Sequence, residues 1–342
     1  MVYASGPPVK EGPAGRSGRL AIRFIIFGAG GIGGVVGGRL FQSGHEVVLI
    51  ARGAHQKALA EQGLTLETPA EKTTLPISVV SRGDEIEWRH GDLVLLAVKS
   101  QDTTAAVAAL IRVAPAETDV VCLQNGVENE RACLRHFRSV YGCCVMCPAG
   151  HLKPGLVQAY SSPTTGLMDF GLWPNGVDDV TEELAQVFNG ATFDSRSVDD
   201  ISRWKYRKLI NNLGNAVEAL FGEGTAADRI GKRARDEGEG VLRAAGIAFT
   251  TRQEDLERRG QLLKVQDIGA HERPGSSTRQ SLIRQVGSVE VDYLNGEIAL
   301  LGRLHGVATP VNEALQRQAN KLAVDGREPG SAPIDDLIRE LD

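Results

Sequence analysis

Hydrophobic and polar positions change their period along this chain, and the changes divide it. Ile22-Arg23-Phe24-Ile25-Ile26-Phe27 is a short apolar, β-prone run, and a glycine-rich turn follows it. Val35 to Ser43 then reads as a helix and Glu46 to Ile50 as a second strand. Asp92 to Val98 is another run of the buried-strand type, with a helical stretch after it from about Asp102 to Arg112. Asp119 to Leu123 is strand again, and Val127 to Phe137 is helix-like. Strands that are apolar on both faces and alternate with helices predict a parallel sheet covered on both sides.

Residues 141–171 carry short strand patterns broken by Pro and Gly, and from about residue 177 the period becomes helical. Amphipathic stretches run from Ile201 to Phe221, from about Ala226 to Ala245, from Ser277 to Val286 and from Glu290 to His305. Thr309-Pro310 places an N-cap candidate before a proline at the first helical position, and Asp335 to Leu341 reads as a last short helix. Residues 1–20 are rich in Gly, Pro, Ser and Arg without periodicity and are expected to be a disordered tail. The expected organisation is an α/β domain over 21–195 and an all-α domain over 196–342, which suits a 342-residue chain.

Composition narrows the function classes. With 38 basic and 43 acidic residues the net charge is −5, so the basic excess of a nucleic-acid binder is missing. The longest apolar and glycine run, Phe24 to Gly38, is too short and too glycine-rich to span a membrane. Arg16, Arg19 and Arg23 precede it, but no small-residue cleavage pattern follows, so a secretory signal is rejected. Five cysteines, an odd number, do not suggest a disulfide framework, and a reducing cytoplasm is expected. Cys143, Cys144 and Cys147 with His151 lack the second ligand pair of a structural zinc site, and the segment alternates like a strand, so no metal is expected. The expected partner is a small molecule, and the chain is read as a monomer or homodimer.

Gly28-Ala29-Gly30-Gly31-Ile32-Gly33 is a G-x-G-x-x-G run placed between a strand and a helix, the opening of a Rossmann-like dinucleotide-binding domain. Gly28 allows the tight turn, Gly30 and Gly31 let the backbone approach a pyrophosphate, and Gly33 lets helix and strand pack closely. The second strand ends at Leu49-Ile50-Ala51-Arg52, where NAD enzymes place an acid for the ribose hydroxyls. Arg52, with Lys57 beyond it, instead suits a 2′-phosphate, so NADP(H) is the expected cofactor. The competing reading makes Arg52 a solvated loop charge.

Lys208, Asn212 and Asn215 fall at i, i+4 and i+7 and share one helix face, while Leu209, Leu213, Ala216 and Leu220 form a core stripe. The polar face is either a solvated stripe or a ligand face. Asn is a mediocre helix former, and it offers both a donor and an acceptor. Both readings stand on the residues alone.

With Ala97-Val98-Lys99, Leu123-Gln124-Asn125-Gly126-Val127, Ser276-Ser277 and Val289-Glu290-Val291-Asp292-Tyr293-Leu294-Asn295-Gly296, followed by His305-Gly306 and Pro310, the chain resembles ketopantoate reductases (2-dehydropantoate 2-reductases) from Ile22 to about Ala323. The resemblance implies NADPH-dependent reduction of a 2-oxo acid. It implies that Lys208 is the general acid that protonates the oxygen as hydride reaches C2. By the same resemblance Asn212, Asn215 and Ser277 bind substrate, Glu290 acts in the cleft in cofactor binding and closure, and Lys99 and Asn125 contact cofactor, Asn125 also reaching substrate. Ser277-Thr278-Arg279-Gln280 also reads as a capping box, and Glu290 could complement a helix dipole. The chain departs from the family's pattern in having no further Asn in the stretch Ala216 to Gly224 just after Asn215, in Trp204-Lys205-Tyr206-Arg207 before Lys208, and in Ser281 where an Asp is common. These departures leave open another 2-oxo acid as substrate. A non-catalytic NADP(H) sensor is the remaining alternative, and it has no use for Lys208, Asn212 and Asn215 on one face.

Overall fold

The computed structural model describes residues 22–269 and 273–341; the expected tail, residues 1–20, lies outside them. The α/β half runs β1 (Arg23–Phe27), α1 (Gly31–Gln42), β2 (Glu46–Ile50), α2 (Gly53–Gln62), β3 (Leu64–Glu67), β4 (Lys72–Leu75), β5 (Ser78–Val80), β6 (Asp92–Leu96), α3 (Thr103–Leu110), β7 (Asp119–Cys122), α4 (Asn129–Leu134), β8 (Val140–Met146), β9 (Ala149–Gly150), β10 (Leu156–Ala159), β11 (Leu167–Leu172) and α5 (Asp179–Gly190). The main sheet has seven strands in the order β11-β8-β7-β6-β1-β2-β5, all parallel except β11, which pairs antiparallel to β8.

Alternation along β1 explains the layering. Phe24 and Ile26 join the core cluster of α1 and α5, while Ile25 and Phe27 join the cluster of α3 and α4 on the other face. All five residues of β1 are buried, as a central strand covered on both sides requires. Chain connections leave β1 towards β2 on one side and reach β6 on the other. This is a topological switch point, and it opens a crevice at the strand carboxyl ends. A second sheet, β4-β3-β10-β9, lies against α1. Its β3–β4 hairpin gives little periodic signal, because the two strands span only four residues each.

The helical half comprises α6 (Ile201–Asn212), α7 (Gly214–Phe221), α8 (Thr225–Ala244), α9 (Arg252–Arg259), α10 (Ser277–Ile283), α11 (Asn295–His305), α12 (Pro310–Val324) and α13 (Ile334–Leu341), with a 3₁₀ turn at Glu290–Tyr293. Leu209, Leu213, Ala216 and Leu220 are buried in its core, as the stripe predicted. The single helix expected from Ile201 to Phe221 is in fact two. Leu213 bonds back in a 3₁₀ manner to Ile210 O, Gly214 follows, and the Leu213 carbonyl accepts from Asn295 Nδ2. The region read as one helix from Glu290 to His305 likewise divides into the 3₁₀ turn and α11.

One capping expectation is corrected, and another holds in position but not in its side-chain bond. The N-cap of α10 is Ser276, whose side chain accepts from Arg279 N, so Ser277 is the first helical residue and not the cap. Thr309 does precede Pro310 at the start of α12, but its hydroxyl turns to the Glu313 carboxylate. Glu237 from α8 takes the free Val311 and Asn312 N–H groups instead. Cys143 and Cys144 are successive buried residues of β8 and belong to opposite core clusters, consistent with the strand alternation.

Candidate active site

A cavity of about 890 Å³ occupies the crevice at the switch point and extends to α6, α7 and α10. Gly28, Gly30, Gly31, Arg52, Lys99, Asn125, Lys208, Asn212, Asn215, Ser277 and Glu290 all line it. Gly33 does not; it lies one layer below. A Cβ there would fall 2.1 Å from Gly28 O, so only glycine permits this approach of α1 to β1.

The turn after β1 is fixed by its backbone. Gly28 sits at φ +104° and would press a Cβ against Val98, while Gly28 N and Ala29 N both donate to Ile50 O. A Cβ at Gly30 would meet no atom within 4 Å and would project into open space at the start of α1. That helix has no side-chain cap and no acid in its first turn, so its free N–H groups remain available to an anion. These features fit the pyrophosphate of a dinucleotide. Arg52 occupies the N-cap position of α2 at the rim of the same space. Lys57 is exposed and pairs with Glu61, away from the cavity lining.

Loops after β6 and β7 are tied together by buried polar contacts. Gln124 Nε2 donates to Val98 O and Thr103 Oγ1, Thr103 donates to Asn129, and Asn129 Nδ2 donates to Asn125 O. Glu290 reaches this assembly from the helical half. Its carboxylate accepts from Lys99 Nζ at 2.6 Å and from Ser100 N at 3.2 Å. Glu290 is therefore a cross-domain acceptor, beyond any effect on a helix dipole.

Asn212 Nδ2 donates to Asn125 Oδ1 at 3.0 Å, which fixes the two amides facing each other across the domains. Lys208 has no ion pair or hydrogen bond among the described residues, and burial, aided by the charges of Arg259 and Arg273, lowers its pKa from the usual lysine value. The Ser277 hydroxyl is buried without a partner. The polar face of the helix is thus a cavity face and not a solvated stripe.

Several lining residues had no local sequence signal. His55 and His151 are in ring contact, tilted by 51° with centroids 4.3 Å apart. His55 bonds to Ala29 O and accepts from Gly155 N, tying α2 to the glycine turn. Burial lowers both imidazoles, His151 to about 4, so the pair is neutral at pH 7. Glu218 accepts from Ser276 N with both oxygens, and Gln280 donates to Ala149 O and Gly275 O. Arg273 and Arg284 complete the cationic lining. Among the described residues no three His, Cys, Asp or Glu groups converge as a metal site would, and no helix is long and apolar enough to cross a membrane.

A glycine-rich turn at the switch point of a parallel sheet, facing a lysine and two asparagines from a helical domain, defines a two-domain nucleotide-binding architecture. Comparison with known proteins gives the family. Residues 24–175 match the family model described as ketopantoate reductase PanE/ApbA, and residues 200–323 match its C-terminal counterpart. The chain belongs to the ketopantoate reductase family. It is 28% identical to 2-dehydropantoate 2-reductase of Pyrococcus horikoshii over 299 residues, 85% of this chain and 94% of that protein. It is 29% identical to 2-dehydropantoate 2-reductase of Archaeoglobus fulgidus over 302 residues, 86% of this chain and 95% of that protein. Among solved structures, the PanE/ApbA family ketopantoate reductase of Ralstonia eutropha JMP134 is similar with a TM-score of 0.75 and 28% identity, covering 89% of this chain and 99% of that one.

Proposed function

We propose that this chain is an NADPH-dependent reductase of 2-dehydropantoate. Residues 21–195 hold the cofactor, and residues 196–342 supply the proton donor and most of the substrate contacts. The observation that carries the reading is the unpaired Lys208 amine in one cavity with the glycine turn and the Asn125–Asn212 pair. The relatives' names supply the substrate class.

When bound, the reduced nicotinamide supplies the hydride that adds to C2. The Gly28–Gly33 turn and the start of α1 hold the pyrophosphate, and Arg52 holds the 2′-phosphate. Lys99 and Glu290 hold the cleft wall beside the cofactor. Lys208 gives its proton to the carbonyl oxygen, so that C–H and O–H bonds form together with loss of the C=O π bond. A lysine whose pKa burial has lowered gives up that proton more readily than one in water. Asn212, with its NH₂ held by Asn125, turns its amide oxygen to a substrate hydroxyl. Ser277, buried and unpartnered, and Asn215 are free to bond the carboxylate.

The test is oxidation of NADPH by 2-dehydropantoate, with NADH in parallel and pyruvate and 2-oxoisovalerate as competing substrates. Faster turnover of 2-dehydropantoate with NADPH is expected. Turnover of the simpler 2-oxo acids at an equal rate would move the assignment to another 2-oxo acid.

Arg52→Ala is expected to weaken NADPH binding by about 10- to 100-fold, the reach of one charge-assisted contact, and to leave NADH unchanged. Titration of the two cofactors by fluorescence checks it. Equal loss for both cofactors would return Arg52 to the role of a solvated loop charge.

A further inference from the structure

We propose that Arg284 is a pyrophosphate-binding residue, a guanidinium delivered from the helical half onto the open side of the glycine turn. The inference rests on the dinucleotide reading above and adds to it a residue from the other domain.

Arg284 is the C-cap residue of α10 and lines the cavity. Its Nε is buried without a hydrogen-bond partner, and it makes no ion pair among the described residues. That buried Nε has lost its hydration with nothing to replace it, and an unpaired buried donor is costly to keep. Glu290 is the acid that attracts it, but that carboxylate is already engaged with Lys99 and Ser100. The guanidinium therefore has free donors and no anion.

Its position follows from contacts one helical turn away. Gln280, four residues earlier on the same face of α10, donates to Ala149 O at 3.0 Å. Ala149 to His151 lie directly over Gly31, where a Cβ would come within 3.7–3.8 Å of all three residues. His55 and His151, the tilted pair beside that turn, both feel the Arg284 charge. Both imidazoles are neutral at pH 7, so they bring no competing cation. Across this gap the N-terminus of α1, a helix of twelve residues, offers uncapped N–H groups. The dianionic pyrophosphate would lie between two donor sets, backbone N–H groups below and a forked guanidinium above.

Arg52 and Arg284 thus read different parts of one cofactor, and the ligands can be chosen to separate them. Binding of NADPH, NADH and 2′-AMP is measured by calorimetry on the wild type, Arg284→Gln and Arg284→Lys. Arg284→Gln is expected to weaken NADPH and NADH alike, by about 10- to 100-fold, and to leave 2′-AMP, which has no pyrophosphate, unchanged. Arg284→Lys, which keeps the charge and loses the fork, should fall between. Unchanged dinucleotide affinity, or loss for NADPH alone, would overturn the assignment. So would loss of 2′-AMP binding in step with the dinucleotides, since the side chain would then be holding the fold. A shift confined to the KM of the 2-oxo acid would place Arg284 on the substrate and overturn it too. Failure of the wild type to bind either dinucleotide would instead remove the cofactor reading itself.

Discussion

Lys208→Ala is expected to lower turnover by about 10²–10⁴-fold, the usual contribution of a positioned general acid, while NADPH binds as before. The pH profile carries the sharper part of the expectation. The donor must be protonated, and burial lowers its pKa from the usual lysine value, so reduction by the wild type falls as pH rises through that lowered value. The alanine variant should lose this alkaline limb along with the rate. Stability should move the other way. A lysine with a lowered folded pKa burdens the fold below that pKa, and the burden fades as pH climbs to the unfolded value. Lys208→Met, which fills the same space without charge, should therefore melt no lower than the wild type at neutral pH. A variant with normal turnover would remove Lys208 from the chemistry. A variant that unfolds would make it a packing residue.

The same helix shows how far the sequence reading reached and where it stopped. The glycine turn, the strand alternation and the Lys208/Asn212 face of α6 were legible because each depends on spacing within one element, and Asn215 still reaches the same cavity from the start of α7. The core stripe from Leu209 to Leu220 held for the same reason, although the helix breaks at Leu213. That break was hidden because the apolar pattern continues through it, and its cause, Asn295, lies 82 residues away. His55, His151 and Arg284 were illegible on similar grounds. They come from a helix start, a hairpin and a helix end, and only packing brings them to one wall. Cap placement failed by a single residue at Ser276, since two adjacent serines offer the same chemistry and only the backbone turn at Gly275 chooses between them. Nor could spacing alone tell which of two lysines three positions apart meets a ligand and which meets an acid.

That second lysine sets up the other large effect. Lys205 Nζ lies 2.6 Å from Glu130 Oε1, with both side chains almost wholly buried. It also donates to Gln124 O at 2.9 Å and Cys143 O at 3.3 Å, so it pins α6 to the sheet beside the Asn125 loop. Burial is the largest single influence and acts to lower its pKa, but the charge and hydrogen bond of Glu130, with the neighbouring Cys122 and Cys143, together hold it above the usual value. Glu130→Ala would strand that ammonium in the core, and a loss of about 3–5 kcal/mol is expected from the urea midpoint. Replacing both partners by Leu and Met should recover most of it, because the cost lies in the unpaired charge. The alkaline limb separates the ion pair from simple packing. In the wild type the lysine's contribution is present at neutral pH and fades as pH rises through its higher folded value, while on the acid side the pair is lost as Glu130, whose pKa burial raises, takes up a proton. In Glu130→Ala the folded pKa drops below the unfolded value, so stability should rise with pH over the interval between them. Parallel slopes for the two proteins, or a loss below about 1 kcal/mol, would mean that the pair does not brace the helix that carries Lys208.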